Sequence, residues 1–333
     1  MKNITKQFAL INFLFGFVII YFYTSLVLAS DNLSEHEGQP EISTSAASEE
    51  SINTSEDDEN AVHFRDFLDA KKLYLRSTVA LIMDERNGVM LYGKEINKQM
   101  PIASLTKLMT AMVTLDAGLP MDEPIKITRQ DRDRLRNSRS RLRYGTTLSR
   151  EDLLHLALAA SENRAASALA RTYPGGKKAF LQSMNHKANQ LGMNKTFFKD
   201  ATGLNSANVS TAQDLAKMVN AAYKYPKIRE MTTVASDSVV DIRSGREISF
   251  RNTNKLVNKK QWNIELSKTG YIAESGYCLV MMAEIVERPL IIVLLNSWGK
   301  YSKFGDANRI RKWLYETERK FQRINRNLVS SQS

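Results

Sequence analysis

Strand-like runs lie at both ends of the globular part of this chain, and helical periodicity fills the stretch between them. Residues 78–83 and 89–92 are rich in apolar and β-branched side chains, and Asn87-Gly88 between them favours a tight hairpin turn. Three further strand-like runs come near the carboxyl end, at 264–272, 276–286 and 289–296. This order predicts an α+β fold in which both ends of the chain share one antiparallel sheet.

The middle of the chain has the apolar spacing of amphipathic helices. We predict helices at 104–117, 151–173, 177–191 and 211–223. Ser210 is the expected N-cap of the 211–223 helix. A last amphipathic helix carries an apolar side formed by Ile310, Trp313, Leu314, Phe321 and Ile324. These segments predict a mostly helical lobe beside the sheet.

The amino-terminal segment, 1–30, has the composition of an export signal. Phe8–Ala29 is an uncharged apolar run that follows Lys2 and Lys6 and ends in small residues suited to a signal peptidase. We therefore expect a periplasmic protein. The run is also long enough to span a bilayer, so an uncleaved inner-membrane anchor is the alternative interpretation.

Residues 31–61 are predicted to be a disordered acidic linker. Residues 31–60 contain ten acidic side chains, no lysine or arginine, and few large apolar groups, so they cannot bury enough surface to fold. The folded domain is expected at 62–326, followed by a tail at 327–333. The single cysteine, Cys278, excludes an intramolecular disulfide and a cysteine-based zinc site.

Three short motifs contain the residue types of a nucleophilic serine site. The three-residue spacing of Ser104 and Lys107 places a hydroxyl and an amine one helical turn apart. A serine hydroxyl is a weak nucleophile until a base removes its proton, and a desolvated lysine can be that base. The other motifs, Ser161–Asn163 and Lys268–Gly270, follow in that order farther along the chain. Each motif alone is equally explained by a helix cap, a polar turn or a solvated strand, so the inference depends on their combination.

In this order and spacing, the motifs resemble the S-x-x-K, S-x-N and K-T-G set of penicillin-recognising serine enzymes. The resemblance extends to flanking segments at 101–110, 161–166, 173–176, 250–254 and 262–264. The chain is similar, over about Val62 to Arg323, to the low-molecular-mass D-alanyl-D-alanine peptidases of serine peptidase family S11, and above all to endopeptidases of the penicillin-binding protein 7 type. The resemblance implies a β-lactamase/DD-peptidase-like fold that needs no cofactor or metal.

The resemblance also implies a catalytic role for five residues. Ser104 attacks the carbonyl carbon of a D-Ala peptide bond and forms an acyl-enzyme, while Lys107 is the general base. Burial and the positive charge of Lys268 are expected to lower the pKa of Lys107. Ser161 relays a proton between Lys107 and the departing amine, and Asn163 orients Lys107 and a substrate amide.

Substrate binding is assigned by the same resemblance to the third motif. Lys268 and Thr269 bind a carboxylate beyond the cleaved bond, and Gly270 keeps the strand edge clear for an extended peptide. The backbone amides of Ser104 and Tyr271 hold the oxyanion.

The implied activity is hydrolysis of D-Ala-containing cross-links in peptidoglycan, with β-lactams as inhibitors. A D-alanyl-D-alanine carboxypeptidase is the alternative, since both substrates offer a free carboxylate. The segment after Gly270 is too short for the extra β domain of many carboxypeptidases, which favours the endopeptidase. A class A β-lactamase is disfavoured because no glutamate lies between Asn163 and Arg229. A non-catalytic peptidoglycan sensor is disfavoured because all the motif residues are present.

Arginine is concentrated between Arg129 and Arg143 and again in the last predicted helix. In a cytosolic protein such stretches would indicate nucleic acid, but the export signal argues against that partner. We expect attraction to anionic cell-wall polymer or membrane lipid, with a merely solvated surface as the alternative; some of these arginines could also line the cleft.

Overall fold

A computed structural model describes residues 63–331 of the 333-residue chain, with side chains as far as Asn327. The predicted export segment, 1–30, and linker, 31–61, lie outside the described residues. The last helix continues to Ser331, within the segment predicted to be a tail.

The strands include the five-stranded sheet that both chain ends were predicted to form. In chain order the strands are β1 (Ser77–Asp84), β2 (Met90–Lys94), β3 (Met100–Pro101), β4 (Pro124–Lys126), β5 (Thr147–Ser149), β6 (Val209–Ser210), β7 (Ser236–Val240), β8 (Glu247–Arg251), β9 (Asn263–Ile272), β10 (Gly276–Ile285) and β11 (Arg288–Ser297). The central sheet has the order β2-β1-β11-β10-β9 and is antiparallel throughout. Three short ribbons pair β3 with β6, β4 with β5, and β7 with β8.

The helices form the lobe between these strands and one long helix at the carboxyl end. They are α1 (Thr106–Asp116), α2 (Arg150–Leu158), α3 (Asn163–Arg171), α4 (Gly176–Gln190), α5 (Ala212–Tyr223), α6 (Pro226–Thr233) and α7 (Ser302–Ser331). The helix predicted at 151–173 is divided into α2 and α3, because Ser161 has a φ of 58°, a left-handed conformation that a right-handed helix cannot contain. Helix α6 and the β7–β8 ribbon were not predicted.

The N-cap prediction for α5 was wrong by one residue. The Thr211 side chain accepts the backbone N–H of Asp214, whereas Ser210 belongs to β6 and its hydroxyl bonds that of Thr196 at 2.7 Å. Serine and threonine are both good N-caps, so the hydrogen bond between Ser210 and Thr196 decides which of the two residues caps the helix.

The central sheet is buried on both faces. On one face, Ile82, Met281 and Ile292 pack with Ile310 and Trp313 of α7. The opposite face contributes neighbouring strand residues to the core of the helical lobe. Double-sided burial explains why these strands read as apolar runs rather than as an alternating pattern. None of the helices within residues 63–331 is both long and apolar enough to cross a membrane.

Candidate active site

Ser104 lies in a tight turn at the start of α1. The turn is a 3₁₀ segment, Ala103–Leu105, and Ala103 has a φ of 48°. This conformation turns the backbone sharply just before the serine. The Ser104 Oγ atom lies 2.9 Å from Lys107 Nζ, so the two side chains are hydrogen-bonded across one helical turn.

Lys107 is completely buried and makes two further hydrogen bonds. Its Nζ atom donates to Asn163 Oδ1 and to the carbonyl oxygen of Thr202, both at 2.7 Å. Burial lowers the pKa of Lys107 to about 7, although nearby carboxylates, chiefly Asp200, oppose the shift. A neutral amine has two N–H groups and one lone pair. When the two N–H groups of neutral Lys107 donate to Asn163 and Thr202, the lone pair of the amine is available to the hydroxyl of Ser104.

Asn163 is the first residue of α3, directly after the left-handed Ser161 and the buried Glu162. Its Nδ2 atom donates to Ser138 Oγ at 2.9 Å, and its Oδ1 atom accepts from Lys107. These two bonds distinguish the two ends of the amide and fix its orientation. Ser138 was not among the predicted site residues.

Lys268 forms the second half of the site with Ser161. Lys268 Nζ donates to Ser161 Oγ at 2.9 Å and to the Thr269 carbonyl oxygen at 3.0 Å. Burial, and then the charge of Lys107, lower the pKa of Lys268 well below its ordinary value. Burial lowers the pKa of Lys107, and the further lowering expected from the charge of Lys268 stays a prediction.

Strand β9 joins the two halves. It lies at the edge of the central sheet, and a Cβ atom at Gly270 would be only 3.0 Å from both the Ser104 nitrogen and the Ile102 carbonyl oxygen. A larger residue would therefore separate the strand from the turn that carries Ser104. Thr269 is held by a 2.7 Å hydrogen bond to the hydroxyl of Thr253.

The Tyr271 side chain points to the surface. It is 54% exposed and stacks on Tyr277 with ring centres 4.2 Å apart. Its backbone amide follows Gly270 directly along β9.

The turn at Asp200–Asn205 completes the surroundings of Lys107 and was missed in the sequence. The Asp200 carboxylate accepts backbone N–H groups of Thr202, Gly203 and Asn205. These bonds hold the turn in which the Thr202 carbonyl oxygen accepts a hydrogen bond from Lys107 Nζ. Asp200 and Gly203, three residues apart, favour a turn, but the sequence contains no sign that this turn contacts Lys107.

The arginine-rich segment also lies beside this site. Arg136 donates to the Leu204 carbonyl oxygen at 2.7 Å and to both carboxylate oxygens of Glu274 at 2.8 Å. It therefore joins the segment to the Asp200–Asn205 turn and to the β9–β10 connection. Within residues 63–331, no cluster of three or more histidine, cysteine or acidic side chains is arranged to hold a metal ion.

Solved structures with the same architecture include DD-peptidase relatives. The Streptomyces K15 DD-transpeptidase matches with a TM-score of 0.68 and 28% identity, over 73% of this chain and 98% of that one. Penicillin-binding protein D2 of Listeria monocytogenes, in its cefotaxime-bound form, matches with a TM-score of 0.63 and 32% identity, over 73% and 98% of the two chains. The predicted α+β fold of the DD-peptidase type is confirmed.

Sequence relatives lead to the same family. D-alanyl-D-alanine endopeptidases of Pseudomonas aeruginosa and Escherichia coli are 47% and 45% identical, each over 72% of this chain and 77% of the relative. The D-alanyl-D-alanine carboxypeptidase DacF of Bacillus subtilis is 30% identical over 62% of this chain and 53% of its own length. The model of peptidase family S11, described as D-alanyl-D-alanine carboxypeptidase, matches residues 68–299. The chain therefore belongs to peptidase family S11.

Proposed function

We propose that this protein is a serine DD-endopeptidase that hydrolyses D-Ala-containing cross-links of peptidoglycan through an acyl-enzyme. The observation that carries the proposal is the 2.9 Å contact between the Ser104 hydroxyl and Lys107, whose pKa burial lowers to about 7. At neutral pH a substantial fraction of Lys107 is unprotonated, so a base adjoins the hydroxyl without a histidine.

Acylation begins when Lys107 takes the Ser104 proton. The Oγ atom attacks the carbonyl carbon of the scissile D-Ala bond, and the carbonyl oxygen becomes an oxyanion. Backbone N–H groups of Ser104 and Tyr271 are the proposed donors to that oxyanion. The C–N bond then breaks, and Ser161 passes the proton from Lys107 to the departing amine.

Deacylation uses the same groups in the opposite sense. Water replaces the departed amine, and Lys107 takes its proton while the hydroxide attacks the ester carbonyl. The bond to Ser104 Oγ breaks, and the serine recovers its proton from Lys107. A β-lactam acylates Ser104 by the same first step and inhibits the enzyme while its ester persists.

Lys268 and Thr269 are the proposed contacts for a substrate carboxylate. Lys268 is buried close to Lys107, so two ammonium ions at once are unfavourable. A carboxylate at Lys268 would favour its protonated form. Binding of an anionic substrate would therefore place the charge on Lys268 and leave Lys107 neutral, as the base must be.

The choice of endopeptidase is supported by the relatives. The endopeptidases are 45–47% identical to this chain, whereas carboxypeptidase relatives include those of Bacillus subtilis at 30% and Streptomyces at 29%. A carboxypeptidase remains the second candidate, since the matching family model carries that description and the motif residues suit both reactions.

The deciding experiment offers the purified protein a cross-linked muropeptide dimer and a pentapeptide monomer, with products identified by mass. Conversion of dimer to monomers, absent in Ser104→Ala, supports the endopeptidase. Loss of terminal D-Ala alone would transfer the assignment to carboxypeptidase. Labelling by fluorescent penicillin without cleavage of either substrate would leave a sensor role.

Export to the periplasm by residues 1–30, with an inner-membrane anchor as the alternative, is part of the same proposal. Cell fractionation followed by mass measurement tests it, because cleavage gives a shortened protein in the periplasmic fraction and anchorage gives the full-length protein in the membrane fraction. The basic side chains of α7 are proposed to associate with anionic cell-wall polymer or lipid, which cosedimentation with sacculi or vesicles measures.

A further inference from the structure

We propose that Arg129, Arg132 and Arg134 form a carboxylate-binding subsite for the cross-linked peptide, next to the catalytic residues. The inference rests on the proposed function and adds a second anionic group to the substrate, separate from the one assigned to Lys268. We call the surface lined by Arg129, Arg132, Arg134, Asn137 and Tyr144 the arginine groove.

The arginine groove adjoins the catalytic residues through a smaller cleft. That cleft, of about 260 Å³, is lined by Asn163 and Thr202, both bonded to Lys107, and by Arg132 and Arg134. The arginine groove, of about 530 Å³, shares Arg132 and Arg134 with the cleft. A peptide that passes Asn163 can therefore reach the groove without leaving the surface.

The groove offers guanidinium groups that have no carboxylate partner. Its lining contains three arginines and no acidic side chain. Arg132 donates to Asn137 Oδ1 at 3.3 Å. Neither Arg129 nor Arg134 forms an ion pair with any residue between 63 and 331. Arginine presents a planar pair of donors that matches the two oxygens of a carboxylate, so these side chains suit an acidic peptide.

Nearby acidic residues reduce the positive charge but have their oxygens occupied. Asp131 binds Arg171 at 2.8 and 3.0 Å. Asp133 accepts backbone N–H groups of Leu135, Arg136 and Ser138, and these bonds lower its pKa despite its partial burial. The Asp200 carboxylate is likewise held by its own turn. These carboxylates therefore leave the groove arginines available to a ligand.

Apolar contacts favour a peptide over a simple anion. Leu135 is 64% exposed beside Arg134 and lines the smaller cleft, and Tyr144, which lines the groove, is 44% exposed. The proposal places an extended substrate along β9, with Lys268 on one side of Ser104 and the cleft lined by Asn163 on the other. A cross-linked substrate has peptide on both sides of its scissile bond, whereas a short terminal peptide has little beyond it.

The test removes the two shared arginines and the substrate carboxylates independently. We compare Arg132→Gln/Arg134→Gln with Lys259→Gln/Lys260→Gln, a matched loss of two exposed positive charges on the connection that precedes β9. The substrates are a cross-linked dimer with free carboxylates and the same dimer with its groove-side carboxylates amidated. For the free dimer, kcat/KM should fall about tenfold or more in the groove variant and less than about twofold in the control, consistent with loss of charge-assisted bonds.

Amidation should reproduce this loss in the wild type and cause no further loss in the groove variant. Penicillin acylation should change by less than about twofold, because a small β-lactam does not extend into the groove. Unchanged kcat/KM in the groove variant, or an equal loss with free and amidated dimers, would overturn the subsite.

Binding measurements in a Ser104→Ala background separate this inference from the proposed activity. Weaker binding of the free dimer after the groove substitutions supports the subsite even if the wild type cleaves nothing. A groove variant that keeps full dimer affinity but no longer binds phosphatidylglycerol vesicles would overturn the subsite in favour of a lipid contact.

Discussion

A Cβ atom on Gly203 would lie 1.9 Å from the carbonyl oxygen of Ala103 and 2.7 Å from the nitrogen of Ser104. Gly203 has a φ of 83°, and Ala103 has one of 48°, so two left-handed backbone positions pack directly together. The turn that carries Ser104 is thus supported by a second turn that is distant in sequence. That contact has no room for a side chain.

We expect Gly203→Ala to slow penicillin acylation at least about tenfold and to destabilise the protein by about 2–4 kcal/mol, from steric overlap and left-handed strain together. The matched control is Gly245→Ala, whose φ is 67° and whose Cβ would meet nothing within 4 Å. It should bear only the backbone strain and keep its acylation rate. Denaturant unfolding and stopped-flow acylation measure both quantities. Equal acylation rates in the two variants would contradict a steric role for Gly203.

The acylation rate should depend on the protonation of Lys107. Because its pKa is about 7 and the neutral amine is the base, the rate constant should rise about tenfold per pH unit below pH 7 and level off above it. Fluorescent penicillin labelling from pH 5 to 9 measures this profile. Lys107→Arg should lose acylation throughout the range, since arginine stays charged. A flat wild-type profile would exclude Lys107 as the base.

Buried Lys107 should also make stability depend on pH. Its pKa is about 7 in the folded protein and near the ordinary 10.5 when unfolded, so the unfolded state binds more protons between these values. The free energy of unfolding should therefore rise with pH across this window, by up to about 1.4 kcal/mol per unit from Lys107. Lys268 acts in the same direction because burial also lowers its pKa.

Lys107→Met should reduce that slope, whereas Lys320→Met on the exposed side of α7 should not. Urea unfolding at pH 7.5, 8.5 and 9.5 gives the slopes. Slopes are the proper comparison, because the substitution also leaves Asn163 Oδ1 and the Thr202 carbonyl oxygen unpaired, at a cost of about 1–3 kcal/mol each. An unchanged slope would mean that Lys107 stays protonated in the folded protein.

The sheet could be predicted because β10 and β11 are long, mostly apolar runs and because Asn87-Gly88 joins β1 to β2. The β7–β8 ribbon was missed although its burial alternates, because its strands are short and mostly polar. The division of α2 from α3 depends on the left-handed Ser161, a conformation that local sequence does not favour for serine. Its position is set by the Lys268 hydrogen bond, which tertiary structure supplies.

The side chains of the site were easier to predict than its backbone partners. Ser104, Lys107, Ser161, Asn163 and Lys268 are distinctive residue types in a recognisable order. In contrast, the third partner of Lys107 is the carbonyl oxygen of Thr202, and every residue carries such an oxygen.

Asp200 provides a test of how the backbone turn adjusts the base. Its charge raises the pKa of Lys107 against the larger effect of burial, and its carboxylate holds the turn that carries the Thr202 carbonyl. We expect Asp200→Asn to move the midpoint of the acylation profile to lower pH and to lower its plateau about tenfold, because the amide cannot accept the same set of bonds.

Asp214→Asn is the matched control for this substitution. Asp214 also accepts a backbone N–H, from Lys195 at 2.8 Å, and a hydroxyl, from Thr196 at 2.9 Å, but it has no part in holding Lys107. Both variants should lose about 1–3 kcal/mol of stability, because each disturbs buried or half-buried hydrogen bonds to a carboxylate. Only Asp200→Asn should move the midpoint. A shift of equal size in both variants would indicate a general loosening of the lobe rather than the loss of the Asp200 charge beside Lys107.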